Sequence, residues 1–243
     1  MNPTRIVMWS GPRNISTAML RAWENRSDTV VVDEPFYAYY LARTGIEHPG
    51  ADDIIAHYEN DWRAVAASLT DEPIPDGKPI YYQKQMTHNM LDEIDLAWLR
   101  GVTNCFLIRD PAEVIVSLAK VLPHPVIDQT GFPKQVEIFD TVRQQTGAIP
   151  PVIDARDVLI DPRGTLSALC QRIGVPFSES MLRWSAGKRA SDGIWAQYWY
   201  ASVEASTGFM AYEPREAVVP DHLRGIWEEC QALYEQMAAY RLQ

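Results

Sequence analysis

Short apolar runs alternate with amphipathic stretches along most of this chain. Residues 6–9 (Ile-Val-Met-Trp) read as a strand, and residues 16–25 as a helix with Met19, Leu20 and Trp23 on one face. A β-branched run at 29–32 ends at Asp33-Glu34-Pro35. Ile54, Ile55, Tyr58, Trp62, Val65 and Leu69 recur at helical spacing, and the Pro- and Asp-rich stretch 71–79 is loop. A third strand is expected at 80–83, a helix at 90–99, and a fourth strand at 104–108 that stops at Asp110-Pro111. Helices at 112–119 and 132–145 flank a Pro- and Gly-containing loop at 121–133. A short fifth strand at 152–154 precedes a helix carrying Leu166, Leu169, Cys170 and Ile173 that ends at Gly174. The last helix carries Leu223, Ile226, Trp227, Cys230, Leu233, Tyr234 and Met237.

Strands separated by helices imply βαβ units, and hence an α/β fold with a buried parallel sheet of about five strands between helices. Ligands of such sheets bind at the carboxyl ends of the strands. That rule gathers four segments onto one rim: the loop 11–17, Asp33-Glu34, residues 84–88, and Arg109-Asp110. The first is the most telling. A strand, a Gly11-Pro12 turn and a helix opening on Ser16-Thr17 form an anion cradle, because the first N–H groups of a helix lack intrahelical partners and carry the positive end of its dipole. Arg13 adds a fixed positive charge. The lysine that precedes the hydroxyl residue in a Walker A loop is missing.

Composition narrows the partners. The chain has 243 residues, 47% of them hydrophobic, enough for a sizeable core, and is expected to form a single domain over 1–243. Its net charge of −10 argues against nucleic-acid binding and leaves any anion to be held by local amides, arginines and lysines. Cys105, Cys170 and Cys230 are widely spaced, and the five histidines form no close pair, so neither a disulfide framework nor a metal site is expected. No signal peptide or membrane-length apolar run is evident, which makes a cytoplasmic protein, monomer or homodimer, the default expectation.

Arg109 follows the fourth strand directly, and Ser117 lies about two turns into the next helix. A guanidinium fork and a hydroxyl in this arrangement converge on one phosphate. With two such sites in order, the chain resembles the P-loop sulfotransferases, which use 3′-phosphoadenosine 5′-phosphosulfate (PAPS) as co-substrate without a metal. Pro12, Arg13, Asn14, Ile15, Ser16 and Thr17 match the loop that holds the 5′-phosphosulfate, commonly Pro-Lys-Ser-Gly-Thr-Thr. Arg109-Asp110-Pro111 with Ser117 match the 3′-phosphate motif. The segments 157–162 and 169–177 are similar to the stretch that follows it, and residues 187–195 to a late basic-Gly-Trp loop over the cofactor. The resemblance therefore implies that Lys188 and Arg189 join the 3′ grip, and that Trp195 or Trp23 stacks on adenine in place of the tryptophan that many relatives have where this chain has Ala18. Arg13 stands in for the usual lysine beside the transferring group, where its fixed charge would stabilise the leaving phosphate, and Ile15 for a glycine, so position 15 should not need positive φ. The Ser-Gly-Pro-Arg-Asn opening is similar to a bacterial and plant branch of the family.

On the acceptor side, His88 in Lys84-Gln-Met-Thr-His88 resembles the Lys-Thr-His base of cytosolic sulfotransferases, and an imidazole titrates in a range suited to the task. Glu34 is its rival, similar in place to the glutamate base of some carbohydrate sulfotransferases; the histidine is set slightly ahead. Lys84 would bridge the leaving oxygen or pair with a carboxylate. Tyr37, Tyr39 and Tyr40, with Trp195, Tyr198, Trp199 and Tyr200, supply aromatic walls, and the loop 121–133 with His124 is a candidate lid. The function read from this set is sulfuryl transfer to a hydroxyl or amine of a small molecule. A nucleotide-dependent phosphotransferase on the same fold and a non-catalytic nucleotide-binding module are the alternatives.

Overall fold

A computed structural model describes residues 3–214 and 217–242. Five parallel strands, β1 (Thr4–Ser10), β2 (Thr29–Asp33), β3 (Ile80–Met86), β4 (Thr103–Ile108) and β5 (Val152–Asp154), lie in the order β2-β3-β1-β4-β5. The helices are α1 (Ser16–Glu24), α2 (Tyr37–Thr44), α3 (Ala51–His57), α4 (Trp62–Thr70), α5 (Pro111–Leu118), α6 (Phe132–Thr146), α7 (Ala155–Ile160), α8 (Pro162–Ile173), the short α9 (Ala196–Trp199) and α10 (Ala201–Glu204), and α11 (Arg224–Ala238).

Strand alternation divides the core into two layers. Ile6, Met8, Tyr82, Cys105 and Leu107 pack against Met19, Leu20 and Trp23 of α1 and against Leu166 and Leu169 of α8. Val7, Trp9, Tyr81 and Phe106 pack on the other face against Val65 and Leu69 of α4 and Ile138 and Phe139 of α6. Because β1 is central, the loop leaving it emerges between β3 and β4. Asp33, at the tip of β2, is the register partner of Lys84 in β3.

Local chemistry explains where the pattern and the structure differ. The periodic run 54–69 is two helices, because Tyr58 is extended and Asp61 caps α4 by accepting the Arg63 N–H at 2.9 Å. Residues 90–99 do not form a helix. Two 3₁₀ turns, Thr87–Asn89 and Leu96–Gly101, bracket irregular chain, and Asp95 caps the second through the Ala97 N–H at 2.9 Å. Met90, Ile94 and Leu99 are nonetheless buried, so their spacing served packing and not a helix. β3 runs three residues past the expected end, which places Lys84 within the strand.

Candidate active site

At the tip of β1 the chain turns through Gly11, where a Cβ would lie 2.8 Å from the Thr130 carbonyl oxygen. Glycine is what allows the segment 127–131 to back the turn this closely. The Asn14 amide then fixes the loop, its Oδ1 accepting the Ile15 N–H at 2.8 Å and its Nδ2 donating to the Leu107 carbonyl at 3.1 Å. Ile15 has φ −86°, so the residue in place of glycine is unstrained. No side chain caps α1 and its first turn carries no acid, so its leading N–H groups, with the Ser16 and Thr17 hydroxyls beside them, are available to an anion. Arg13 adopts φ 57°, the left-handed region that costs a residue with a Cβ roughly 1–2 kcal/mol.

That conformation is held from β4. Arg109 donates from one terminal nitrogen to the Arg13 carbonyl at 2.6 Å, and from Nε and its other terminal nitrogen to Glu113 at 2.9 and 2.8 Å. Asp110 caps α5 through the Ala112 N–H at 2.8 Å, and Pro111 occupies the first turn, which starts the helix where Ser117 comes round to the loop. Ser117 Oγ accepts the Arg13 Nε–H at 2.9 Å. Arg13, Arg109 and Ser117 are thus brought together.

The second half of the rim is a buried charge cluster. The Lys84 ammonium, 1% exposed, donates to Asp33 Oδ1 at 2.8 Å, Glu34 Oε1 at 2.6 Å and the Tyr200 hydroxyl at 2.7 Å. The Tyr200 hydroxyl donates in turn to Asp33 Oδ2 at 2.6 Å, and Trp195 Nε1 donates to the Tyr200 oxygen at 3.3 Å. Burial alone would lower the Lys84 pKa, but Asp33 and Glu34 outweigh it and hold the ammonium charged. Burial raises the Glu34 carboxyl above its ordinary range, against the pull of Lys84. Glu34 sits at φ 41°, a second left-handed residue at the rim. His88 stands in the 3₁₀ turn after β3 with its ring edge-on to Tyr40 at 5.6 Å. Burial, with His48 and Lys84 nearby, lowers its pKa to about 4, and its Nδ1 makes no hydrogen bond. Tyr37 bonds His48 Nδ1 at 2.8 Å, and a cavity of about 470 Å³ lined by Leu41, Ile46, His48 and Ile55 opens beside this wall.

Three sequence expectations find a different setting. Lys84 is committed to two carboxylates and is not open to a leaving oxygen. The rings of Trp195 and Trp23 are enclosed, Trp195 edge-on to Tyr37 at 5.2 Å and Trp23 stacked on Tyr82 at 5.2 Å, so neither shows a face for adenine. Arg189 turns to the Ser185 carbonyl at 3.1 Å and toward Glu24 at the far end of α1, Lys188 is exposed, and among the described residues no contact joins either to Arg109 or Ser117. In the segment 121–133, Thr130 is buried behind Gly11, the Gly131 carbonyl accepts from the Thr87 hydroxyl at 2.9 Å next to His88, and His124 meets His222 at 5.4 Å. Glu113, which holds Arg109, escaped the sequence reading, and Tyr200 was read there only as part of an aromatic wall and not as the partner of Lys84 and Asp33. Glu113 lies four residues after Arg109 on the face of a capped helix, a spacing that was readable; Tyr200 lies 116 residues from Lys84 with no local signal.

Among the described residues no group of three or more His, Cys, Asp or Glu side chains is placed to hold a metal, and no helix is long and apolar enough to cross a membrane. The chain is 32% identical over 227 residues to branched-chain-amino-acid aminotransferase-like protein 2 of Arabidopsis thaliana and 36% identical over 208 residues to protein 1 of that name. Those alignments take in 93% and 85% of this chain but 40% and 37% of the plant proteins, so the chain spans about two fifths of their length. In fold it is similar to the sulfotransferase domain of the Synechococcus PCC 7002 olefin synthase (TM-score 0.54, 16% identity, 100% of this chain and 97% of that one). It is also similar to a sulfotransferase from Alicyclobacillus acidocaldarius (TM-score 0.53, 11% identity, 100% and 98%). The sulfotransferase domain family matches residues 4–239, nearly the whole chain, which therefore belongs to that family.

Proposed function

We propose that the protein transfers a sulfuryl group from PAPS to a hydroxyl or amine of a small-molecule acceptor. The observation that carries this reading is the uncapped start of α1, preceded by a loop whose Arg13 is hydrogen-bonded to both Arg109 and Ser117. An adenosine carrying phosphate at both ends needs two anion sites a short distance apart, and the strand tips of β1 and β4 offer two. The chemistry of the donor set fits the co-substrate: N–H groups and hydroxyls of Ser16 and Thr17 for the 5′ end, and a forked guanidinium with a hydroxyl for the 3′-phosphate.

In the transfer, the bond from sulfur to the 5′-phosphate oxygen breaks as the acceptor oxygen or nitrogen bonds to sulfur, and the acceptor loses a proton. We assign that proton to Glu34 and not to His88, reversing the order read from sequence. A carboxyl raised by burial is a better base than usual, whereas an imidazole lowered to about 4 is a poorer one. Lys84, Asp33 and Tyr200 fix the Glu34 side chain, and neutral His88 offers the acceptor a hydrogen-bond partner from the Tyr40 wall.

The test is isotope transfer from ³⁵S-labelled PAPS to a panel of small alcohols and amines, run beside γ-³²P-labelled ATP with magnesium. Label moving from PAPS alone supports the proposal. Label moving only from ATP would assign the chain to phosphoryl transfer.

A further inference from the structure

We infer that Arg13, although it sits in the loop for the 5′ end of the donor, is the cation that recognises the 3′-phosphate. This rests on the PAPS reading above and changes one of its parts.

Three observations converge. The Arg13 side chain leaves the loop sideways and reaches α5, where its Nε–H is bonded to Ser117 Oγ at 2.9 Å. Its backbone is locked in that direction, since the left-handed φ of 57° is tied down by the Arg109 bond to its carbonyl at 2.6 Å. The pairing of Arg109 points the same way. Arg109 is matched by Glu113 through two contacts of 2.9 and 2.8 Å, and Glu113 also accepts a bond from the Tyr212 hydroxyl at 3.3 Å. The Arg109–Glu113 pair is net neutral, and a neutral pair beside a phosphate dianion contributes orientation with little attraction. Among the described residues no ion pair joins Arg13 to a carboxylate, and the residue is exposed, so beside Ser117 its guanidinium is open to an anion; Arg156, the other arginine near Glu113, lies over the Tyr212 ring at 5.4 Å.

The assignment separates two jobs that one loop would otherwise share. Arg13, Arg109 and Ser117 form a three-armed grip, with Glu113 holding Arg109 in orientation. The transferring end is left to the α1 N–H groups and the Ser16 and Thr17 hydroxyls. Arg13 is accordingly a residue that distinguishes a 3′-phosphorylated nucleotide from its 3′-hydroxyl counterpart.

The experiment is isothermal titration of adenosine 3′,5′-bisphosphate and adenosine 5′-phosphate into wild-type protein, Arg13→Ala, Arg13→Lys and Ser117→Ala. Position 13 is exposed, and circular dichroism of each variant checks that it folds. Arg13→Ala is expected to weaken bisphosphate binding about 10- to 100-fold, the scale of a lost hydrogen bond to a charged group, and monophosphate binding less than about 3-fold. Arg13→Lys should recover part of the loss through charge, and Ser117→Ala should show the same selectivity with a smaller effect. Equal losses for both nucleotides in Arg13→Ala would return Arg13 to the 5′ end and overturn the inference. A wild-type protein that binds both nucleotides equally would overturn the donor reading itself, a result recognisable before any variant is made.

Discussion

Arg109 and Arg13, 96 residues apart in sequence, are joined by a hydrogen bond of 2.6 Å from guanidinium to carbonyl oxygen. The bond makes the first loop and the second anion grip one unit, each setting the geometry of the other. Arg109→Ala leaves Glu113 unpaired and frees Arg13 beside the 3′-phosphate, so it should weaken adenosine 3′,5′-bisphosphate binding by about 1.5–3 kcal/mol, whereas adenosine 5′-phosphate, held by the α1 N–H groups, should lose less than about 1 kcal/mol. Titration calorimetry reads the difference, and equal losses would refute a 3′-phosphate role for Arg109.

Base assignment is separable from donor binding. Glu34→Gln should lower turnover about 10²- to 10⁴-fold and leave bisphosphate affinity within a factor of about three. His88→Asn should lower turnover less than Glu34→Gln does. Steady-state kinetics on an identified acceptor checks both, and a larger loss in the His88 variant would restore the histidine as base.

The buried lysine carries a stability prediction. Lys84→Ala leaves Asp33 and Glu34 uncompensated and is expected to cost about 3–5 kcal/mol. Tyr200→Phe removes only the hydroxyl that bridges Asp33 and Lys84 and should cost about 1.5–3 kcal/mol. Urea unfolding of the two variants gives the ranking. A Lys84 variant as stable as wild type would mean that the cluster is hydrated and not enclosed.

Acid sensitivity follows from the same region. The folded pKa of His88, about 4, lies below its unfolded value of about 6.5, so the unfolded chain binds the extra proton between those limits. Stability from this group is complete above about pH 6.5 and is lost as pH falls toward about 4. His48, also lowered by burial, acts with the same sign, whereas the raised Glu34 acts with the opposite one. The difference between wild type and His88→Gln isolates the histidine. Wild type should lose about 2–3 kcal/mol more than the variant between pH 7 and pH 4, measured by urea midpoints at each pH. Parallel pH profiles would contradict the burial of the imidazole.

The parts of the fold readable in the sequence are those written in local chemistry. β5 at Val152–Asp154 is bounded by its neighbours, and the end of α8 is set by Gly174 at φ 73°. The rim was readable because the strand-end rule needs no side-chain contacts: the loop after β1, Asp33-Glu34, the end of β3 and Arg109 all arrive there. Apolar spacing misled where packing on a sheet uses the same period as a helix, as at Met90, Ile94 and Leu99. Carboxylate pairing was one of the two readings open for Lys84, but its actual partners were not readable, because they come from the end of β2 and from the α9–α10 junction, and a tertiary contact leaves no mark in local sequence. Trp195 was misread for the same reason. Its place beside Tyr37, Tyr58 and Tyr200 is fixed by segments more than a hundred residues away and by a neighbour five residues on.

The central claim is a donor gripped at both ends of one adenosine. Calorimetry with adenosine 3′,5′-bisphosphate, ATP and GTP, each with and without magnesium, tests it most directly. The account predicts that the bisphosphate binds tightest and that magnesium leaves its affinity unchanged. Tight, strictly magnesium-dependent binding of ATP or GTP, with none for the bisphosphate, would contradict it.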